Sequence, residues 1–187
     1  MKFLVIGSAG PVGNLLVDYL IKEDHIVIGV DDYSKYGSVE RSYDSNKNYY
    51  FIQADVNSSG ILLDMVDGCD YVVLLANESG GSNYGSFVKN EQLFVNVLNS
   101  AISVTDNEFF KKLIVVSGAS ISDFQFSVYT HILNVVAEEF NLVYSLIRLM
   151  ECNDSDICLN GIDLVDYIYD SIFNGNIDCA DVCVNLN

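Results

Sequence analysis

Positive charge is scarce in this chain. Nine lysines and arginines face 26 aspartates and glutamates over 187 residues, a formal net charge of −17. A field of that sign repels phosphate backbones and anionic lipid, which argues against nucleic acid or a membrane surface as partner. It repels a dinucleotide as well, so local backbone donors must attract any such cofactor. Long apolar runs are also missing. No stretch approaches the roughly 18 uninterrupted apolar residues of a membrane span, and the opening MKFLVIGSAG turns into a glycine loop where a signal peptide would stay apolar. A soluble, cytoplasmic protein is expected. The five cysteines (Cys69, Cys152, Cys158, Cys179, Cys183) are odd in number and lack CxxC spacing, so reduced thiols are expected, with neither a disulfide framework nor a metal site.

What the chain does have is apolar content, 50% of its residues, enough for one sizeable core and hence a single domain over residues 1–187. Apolar runs predict strands at Lys2–Gly7, His25–Val30, Tyr49–Gln53, Tyr71–Ala76, Leu113–Ser117, Leu142–Arg148 and Asp181–Asn185. Amphipathic stretches predict helices at Pro11–Lys22, Ile61–Val66, Phe87–Val104, Tyr129–Phe140 and Asp163–Phe173. Strand and helix alternate throughout, which implies an α/β fold with a doubly wound parallel sheet. Asp32–Asn48, polar and tyrosine-rich, reads as a loop with at most a short helix, and Glu78–Ser86 (ESGGSNYGS) as a mobile loop at a strand end.

The first strand runs into Gly7-Ser8-Ala9-Gly10-Pro11-Val12-Gly13, with glycines at i, i+3 and i+6, and then into the apolar helix NLLVDYLI. The first glycine permits a tight turn, the second lets backbone N–H groups approach a diphosphate, and the third brings helix and strand close. Pro11, the chain's one proline, suits a first helical turn, where its missing N–H costs nothing. The helix start offers N–H donors and partial positive charge to phosphates. Asp31 follows 18 residues after Gly13, at the end of the second strand. A carboxylate there accepts from ribose hydroxyls and repels a 2′-phosphate, a repulsion that Asp32 reinforces, so the pattern is a Rossmann-like site for NAD. Lys35 and Arg41 are the nearby cations that would have to serve the alternative, NADP.

With this loop in place, further segments resemble the extended short-chain dehydrogenase/reductase superfamily, in its NAD-dependent epimerase/dehydratase branch. Gln53-Ala54-Asp55-Val56 is similar to the segment whose aspartate, here Asp55, contacts adenine, with Val56 beside it. Leu74-Leu75-Ala76 resembles the apolar turn that lies along the cofactor, which assigns Leu75 and Ala76 to it. NEQLFVNVLNSA resembles the family's long helix beginning with an asparagine, here Asn90, with Asn96 six residues on. Ser145-Leu146-Ile147-Arg148 resembles the strand ending in an arginine that leads to the substrate, which makes Arg148 a candidate for a substrate phosphate or else a partner for one of the many carboxylates. The resemblance implies NAD as cofactor, a nucleotide-sugar or other small-molecule substrate, a homodimer, and a much reduced substrate region at 149–187.

The departures fall on the chemistry. The family uses a Ser or Thr after the fifth strand, a Tyr, and a Lys four residues beyond it. In LIVVSGASISD the aligned position is Gly118, flanked by Ser117 and Ser120. Tyr129 is the candidate tyrosine, with Leu133 at the lysine position; a shift by one residue offers Thr130 and Asn134 instead. His131 is the nearby titratable candidate for a substitute base, although residues two apart on a helix point to different faces. An unassisted phenol, with a pKa of about 10, leaves only about one molecule in a thousand as base at pH 7, roughly 4 kcal/mol of barrier. Two readings follow: an NAD-dependent epimerase, dehydratase or reductase with an altered active site, or a catalytically degenerate NAD(H)-binding sensor or assembly subunit.

Overall fold

The computed structural model describes residues 1–38, 40–58, 60–77, 84–118, 121–151, 160–173 and 180–184. Chain order is β1 (Lys2–Ile6), α1 (Pro11–Lys22), β2 (Ile26–Asp31), β3 (Tyr49–Gln53), α2 (Ile61–Val66), β4 (Tyr71–Leu74), α3 (Tyr84–Ile102), β5 (Lys112–Ser117), α4 (Asp123–Phe140), β6 (Tyr144–Glu151), α5 (Gly161–Phe173) and β7 (Ala180–Val184). The strands form one seven-stranded sheet in the order β3-β2-β1-β4-β5-β6-β7. Every pairing is parallel. The expected doubly wound parallel sheet is what the chain forms.

Alternate residues of each central strand feed opposite cores, as a two-residue period requires. Phe3 and Val5 enter one core with Leu16, Val17 and Leu20 of α1 and Leu164 and Ile168 of α5. Leu4 and Ile6 enter the other with Leu62 of α2, Phe94 and Val97 of α3 and Leu133 of α4. Each fully buried Leu or Phe contributes roughly 1.5–3 kcal/mol by removal from water. Lys112, buried at the start of β5, donates from Nζ to the Ser171 carbonyl at 2.6 Å and so caps the last turn of α5; burial lowers its pKa. Cys69 is buried and free, and burial raises its thiol pKa. Cys152, Cys158 and Cys179 lie outside the described residues.

Two expectations need correction. Helix α4 starts at Asp123, six residues before Tyr129, because Ser122 and Gln125 form a reciprocal capping box: Ser122 Oγ accepts from the Gln125 N–H at 3.2 Å and Gln125 Oε1 from the Ser122 N–H at 3.5 Å. Tyr84–Ser86 are helical too, the first turn of α3, while the rest of the expected Glu78–Ser86 loop lies outside the described residues. The described residues of Asp32–Asn48 form turns and irregular backbone without helix. No helix among the described residues is long and apolar enough to cross a membrane.

Candidate functional site: a crevice at the strand ends

The glycine loop joins β1 to α1 and is stitched to both neighbouring strands. Val30 O of β2 accepts from the N–H of Gly7 at 2.8 Å and of Ser8 at 3.2 Å, while Ile6 O accepts from Leu75 and Ala76 on the β4 side. Gly7 has φ +90°, and a Cβ there would lie 2.5 Å from the Ala76 nitrogen, so both its conformation and the close passage of Leu75-Ala76 demand glycine. A Cβ on Gly13 would overlap the Gly7 carbonyl, so this glycine brings α1 against the loop. Gly10 differs. A Cβ there would meet only Gly7 O at 3.4 Å and Tyr36 Cε2 at 3.6 Å, so the fold itself leaves room at this position.

Gly10 is the N-cap of α1, no side chain caps the helix, and Pro11 follows. The first-turn N–H groups of Val12 and Gly13 therefore have no partner within the helix and face the crevice as donors. A glycine cradle ending in an uncapped helix fits the diphosphate of a dinucleotide. At the end of β2, half-buried Asp31 accepts from the Ala9 N–H through Oδ2 at 3.0 Å and from the Tyr33 N–H through Oδ1 at 2.9 Å. Each oxygen keeps a lone pair for a ribose hydroxyl, and the bond to Ala9 fixes the carboxylate against the diphosphate cradle. Asp32 is exposed and accepts from the Ser34 N–H. The cations that NADP would need for its 2′-phosphate have partners in the protein: Arg41 donates to the Ala9 carbonyl at 3.2 Å and Lys35 lies over the Tyr36 ring at 4.9 Å.

The remaining cofactor candidates line the same strand-end edge. Asp55 is exposed and accepts from the Asn57 N–H at 2.9 Å, and Asn57 Oδ1 receives the Asn96 amide at 3.4 Å, tying the turn after β3 to α3. Val56 is buried in the α2–α4 core. Ala76 and Asn90 line a cavity of about 460 Å3 beyond the ends of β4 and β5, together with Asn77, Ser117, Gln125 and Tyr129.

This cavity brings together two of the residues expected to carry chemistry, Tyr129 and Ser117, in an unexpected arrangement. Tyr129 is buried, stacks on Phe94, and donates its hydroxyl to Glu91 Oε1 at 3.1 Å. The same carboxylate oxygen accepts from Gln125 Nε2 at 3.1 Å. Burial and the Glu91 charge together push the phenol pKa well above its ordinary value. Leu133, four residues on, is fully buried in the core. Gly118 sits against Asn77, whose amide occupies the space a Cβ would need. Ser117 is buried and donates to the Ile147 carbonyl at 3.3 Å. Ser120 lies outside the described residues.

His131 is exposed on α4 and does not line the cavity, since two residues along a helix turn it away from Tyr129. The shifted register fares no better. Thr130 bonds back to the Phe126 carbonyl, and Asn134 accepts from the Tyr144 hydroxyl. Arg148 pairs with Asp123 at 2.6 Å and lies over the Phe126 ring at 4.6 Å, which engages its guanidinium with the start of α4. Sequence reasoning missed Glu91, Gln125 and Asn77. The Ser122–Gln125 spacing of a capping box was the available signal for Gln125; nothing in the sequence pairs Glu91 with Tyr129, 38 residues away. No group of three or more metal-ligating side chains occurs among the described residues.

The model of the NAD dependent epimerase/dehydratase family matches residues 3–120. The chain belongs to this family. A UDP-glucose 4-epimerase of Mycolicibacterium smegmatis is 40% identical over 58 residues, 30% of this chain and 18% of that protein. Solved structures of epimerase/dehydratase enzymes share the fold. A dTDP-glucose 4,6-dehydratase double mutant of Streptomyces venezuelae, with NAD bound, superposes with TM-score 0.77 at 15% identity over 100% of this chain and 76% of that one. A UDP-N-acetylglucosamine 4-epimerase of Methanobrevibacter ruminantium gives 0.76 at 16% identity, covering 97% and 76%. The UDP-glucose 4-epimerase of Thermotoga maritima, with UDP-glucose, gives 0.65 at 22% identity, covering 80% and 55%. The chain thus spans about half the length of that last epimerase, and a smaller share of the Mycolicibacterium relative. Within the family frame, the match covers the glycine loop, Asp31 and the strand edge up to Ser120.

Proposed function

We propose that this chain binds NAD, in preference to NADP, and holds it without the tyrosine-base chemistry of the epimerase/dehydratase family, as a cofactor sensor or as a subunit of a larger assembly. Membership of an NAD dependent family, NAD in a structural neighbour, and a cradle fit for a diphosphate support the first part. Gly7, Gly10, Val12 and Gly13 would receive the diphosphate, Asp31 the adenosine ribose, Asp55 the adenine, and Ala76 and Asn90 the nicotinamide end. When bound, NAD supplies a hydride acceptor.

The observation that carries the second part is the bond from Tyr129 to Glu91. A base must lose its proton at working pH. An ordinary phenol already forgoes roughly 4 kcal/mol on that account, and Tyr129 lies in a burial and beside a carboxylate that both deepen the loss. A lysine would do the reverse, but Leu133 stands there inside the core. The described part of 149–187 supports a reduced substrate region: β7 adds one strand to the edge of the sheet, α5 packs on the α1 side of it, and no described residue beyond Tyr129 lines the cavity.

A homodimer in the cytoplasm belongs to the same proposal. Val95 and Phe124, on α3 and α4, are exposed apolar side chains of the kind a helix-to-helix interface covers. Calorimetry with NAD, followed by incubation of the loaded chain with UDP-glucose, UDP-N-acetylglucosamine and dTDP-glucose, tests the function: micromolar binding and no sugar conversion are expected. Turnover that Tyr129→Phe abolishes would establish an active nucleotide-sugar enzyme instead, and a monomeric mass by light scattering would remove the dimer.

A further inference from the structure

The dinucleotide crevice runs from Asp31 at the end of β2, across the glycine loop after β1, to the cavity beyond β4 and β5. A dinucleotide laid along a doubly wound sheet crosses it at the reversal of strand order, here between β1 and β4. With the adenosine ribose at Asp31, the nicotinamide end belongs in the cavity that Tyr129 and Gln125 line.

What stands behind those two side chains is a charge. Glu91 Oε1 accepts from both, at 3.1 Å each, and both donors are neutral, so its charge is held in place without being cancelled. No lysine or arginine is among the described residues that line the cavity. The cations nearby do not offset it from within: Arg148 is paired with Asp123 at 2.6 Å, and Lys89 is on the exposed side of α3. Leu133 is uncharged and buried among apolar neighbours.

The two redox forms of the cofactor differ at this end. The nicotinamide ring of NAD+ carries a formal positive charge and the dihydronicotinamide ring of NADH is neutral, while the rest of the molecule is the same. We propose that Glu91 makes this site selective for the oxidised cofactor, so that the chain holds NAD+ and releases NADH. The inference rests on the NAD-binding reading above. A fixed charge one side chain behind the cavity wall, partly screened by solvent on the open side, should change the affinity ratio about tenfold. Redox-state preference of this origin needs no turnover and suits a sensor of the oxidised pool.

Calorimetry on the full chain with NAD+ and NADH tests the inference. The parent chain should bind NAD+ about tenfold more tightly. Glu91→Gln removes the charge while keeping an oxygen for Tyr129 and Gln125, and Gln125→Lys sets an ammonium against the carboxylate; each should bring the ratio to within about twofold of one. Tyr129→Phe, which keeps the charge, should preserve the preference. Equal affinities in the parent chain would overturn the inference, as would a preference that survives in whichever charge-removing variant folds. Failure of both NAD+ and NADH to bind would instead overturn the cofactor reading beneath it.

Discussion

The Tyr129 hydroxyl donates to the Glu91 carboxylate across 3.1 Å, with the Tyr129 ring stacked on Phe94 at 4.0 Å between centroids. A phenol in that position is a donor with a fixed acceptor, so its oxygen offers the cavity lone pairs and keeps its proton. Helices α3 and α4 are therefore joined by a polar contact behind the cavity wall. That contact links stability to pH.

Tyr129 and Tyr43 have pKa values raised chiefly by burial, and burial pushes Tyr49 up to about 12. A raised phenol pKa means that the folded state keeps its proton where the unfolded chain, near pKa 10, has begun to lose it. The resulting stability is fully present below pH 10 and is lost as pH climbs through the folded values, by up to about 1.4 kcal/mol per pH unit for each tyrosine. Urea unfolding at pH 9 and at pH 11 should show this decline, and Tyr129→Phe should make it shallower while costing about 1 kcal/mol at pH 7. An unchanged slope in the variant would separate Tyr129 from the effect.

Gly118 and Asn77 should behave as a coupled pair. The Asn77 amide fills the space of a Gly118 side chain, so Gly118→Ser must displace it, at a cost of about 1–2 kcal/mol. Asn77→Ala opens that space, and the double variant should lose less than the sum of the two singles. A double-mutant cycle by denaturant unfolding measures the difference. Additive losses would mean that the amide moves aside freely. No gain of sugar conversion is expected from the serine, because Leu133 still denies Tyr129 its ammonium.

The front of the site was legible from the sequence because its requirements are local. Gly7, Gly10, Gly13 and Asp31 lie at spacings fixed by one strand, one turn and one helix, and helix α1 has the bounds expected for it. Apolar runs likewise gave all seven strands to within a few residues, since a strand buried on both faces has little other composition available to it. The back of the site was not legible. Glu91 meets Tyr129, and Asn77 meets Gly118, only after β4, β5, α3 and α4 have assembled, and no periodicity records such pairs. The start of α4 is hidden for a smaller reason: DFQFS carries few helical apolar positions, and the signal that starts the helix is the Ser122–Gln125 box, not hydrophobic periodicity.

Asp31 should show two separable effects. It accepts from the Ala9 and Tyr33 N–H groups, so Asp31→Ala strands two backbone donors and should destabilise the chain by about 1–3 kcal/mol. It also removes the acceptor for ribose hydroxyls and the repulsion of a 2′-phosphate, so NAD should weaken at least tenfold while NADP gains relative to it. Arg41 remains bonded to the Ala9 carbonyl in the parent chain and becomes available to a phosphate only by leaving it. Calorimetry with both cofactors, on parent and variant, measures the change. Equal affinities in the parent chain would refute the ribose assignment.

The three loop glycines should separate folding from binding. Gly13→Ala drives a methyl into the Gly7 carbonyl, and the neighbour is backbone on a loop bonded to β2, so relief requires moving α1 off the sheet. A loss of about 1–3 kcal/mol, read by chemical denaturation, is expected with NAD binding lost as a consequence. Gly10→Ala meets nothing nearer than 3.4 Å and should fold with parental stability. Its methyl would stand where the diphosphate must approach the Val12 and Gly13 N–H groups, so NAD affinity should fall more than tenfold. Parental NAD affinity in Gly10→Ala would show that the diphosphate does not lie over this helix start, whatever the stability of the other variant.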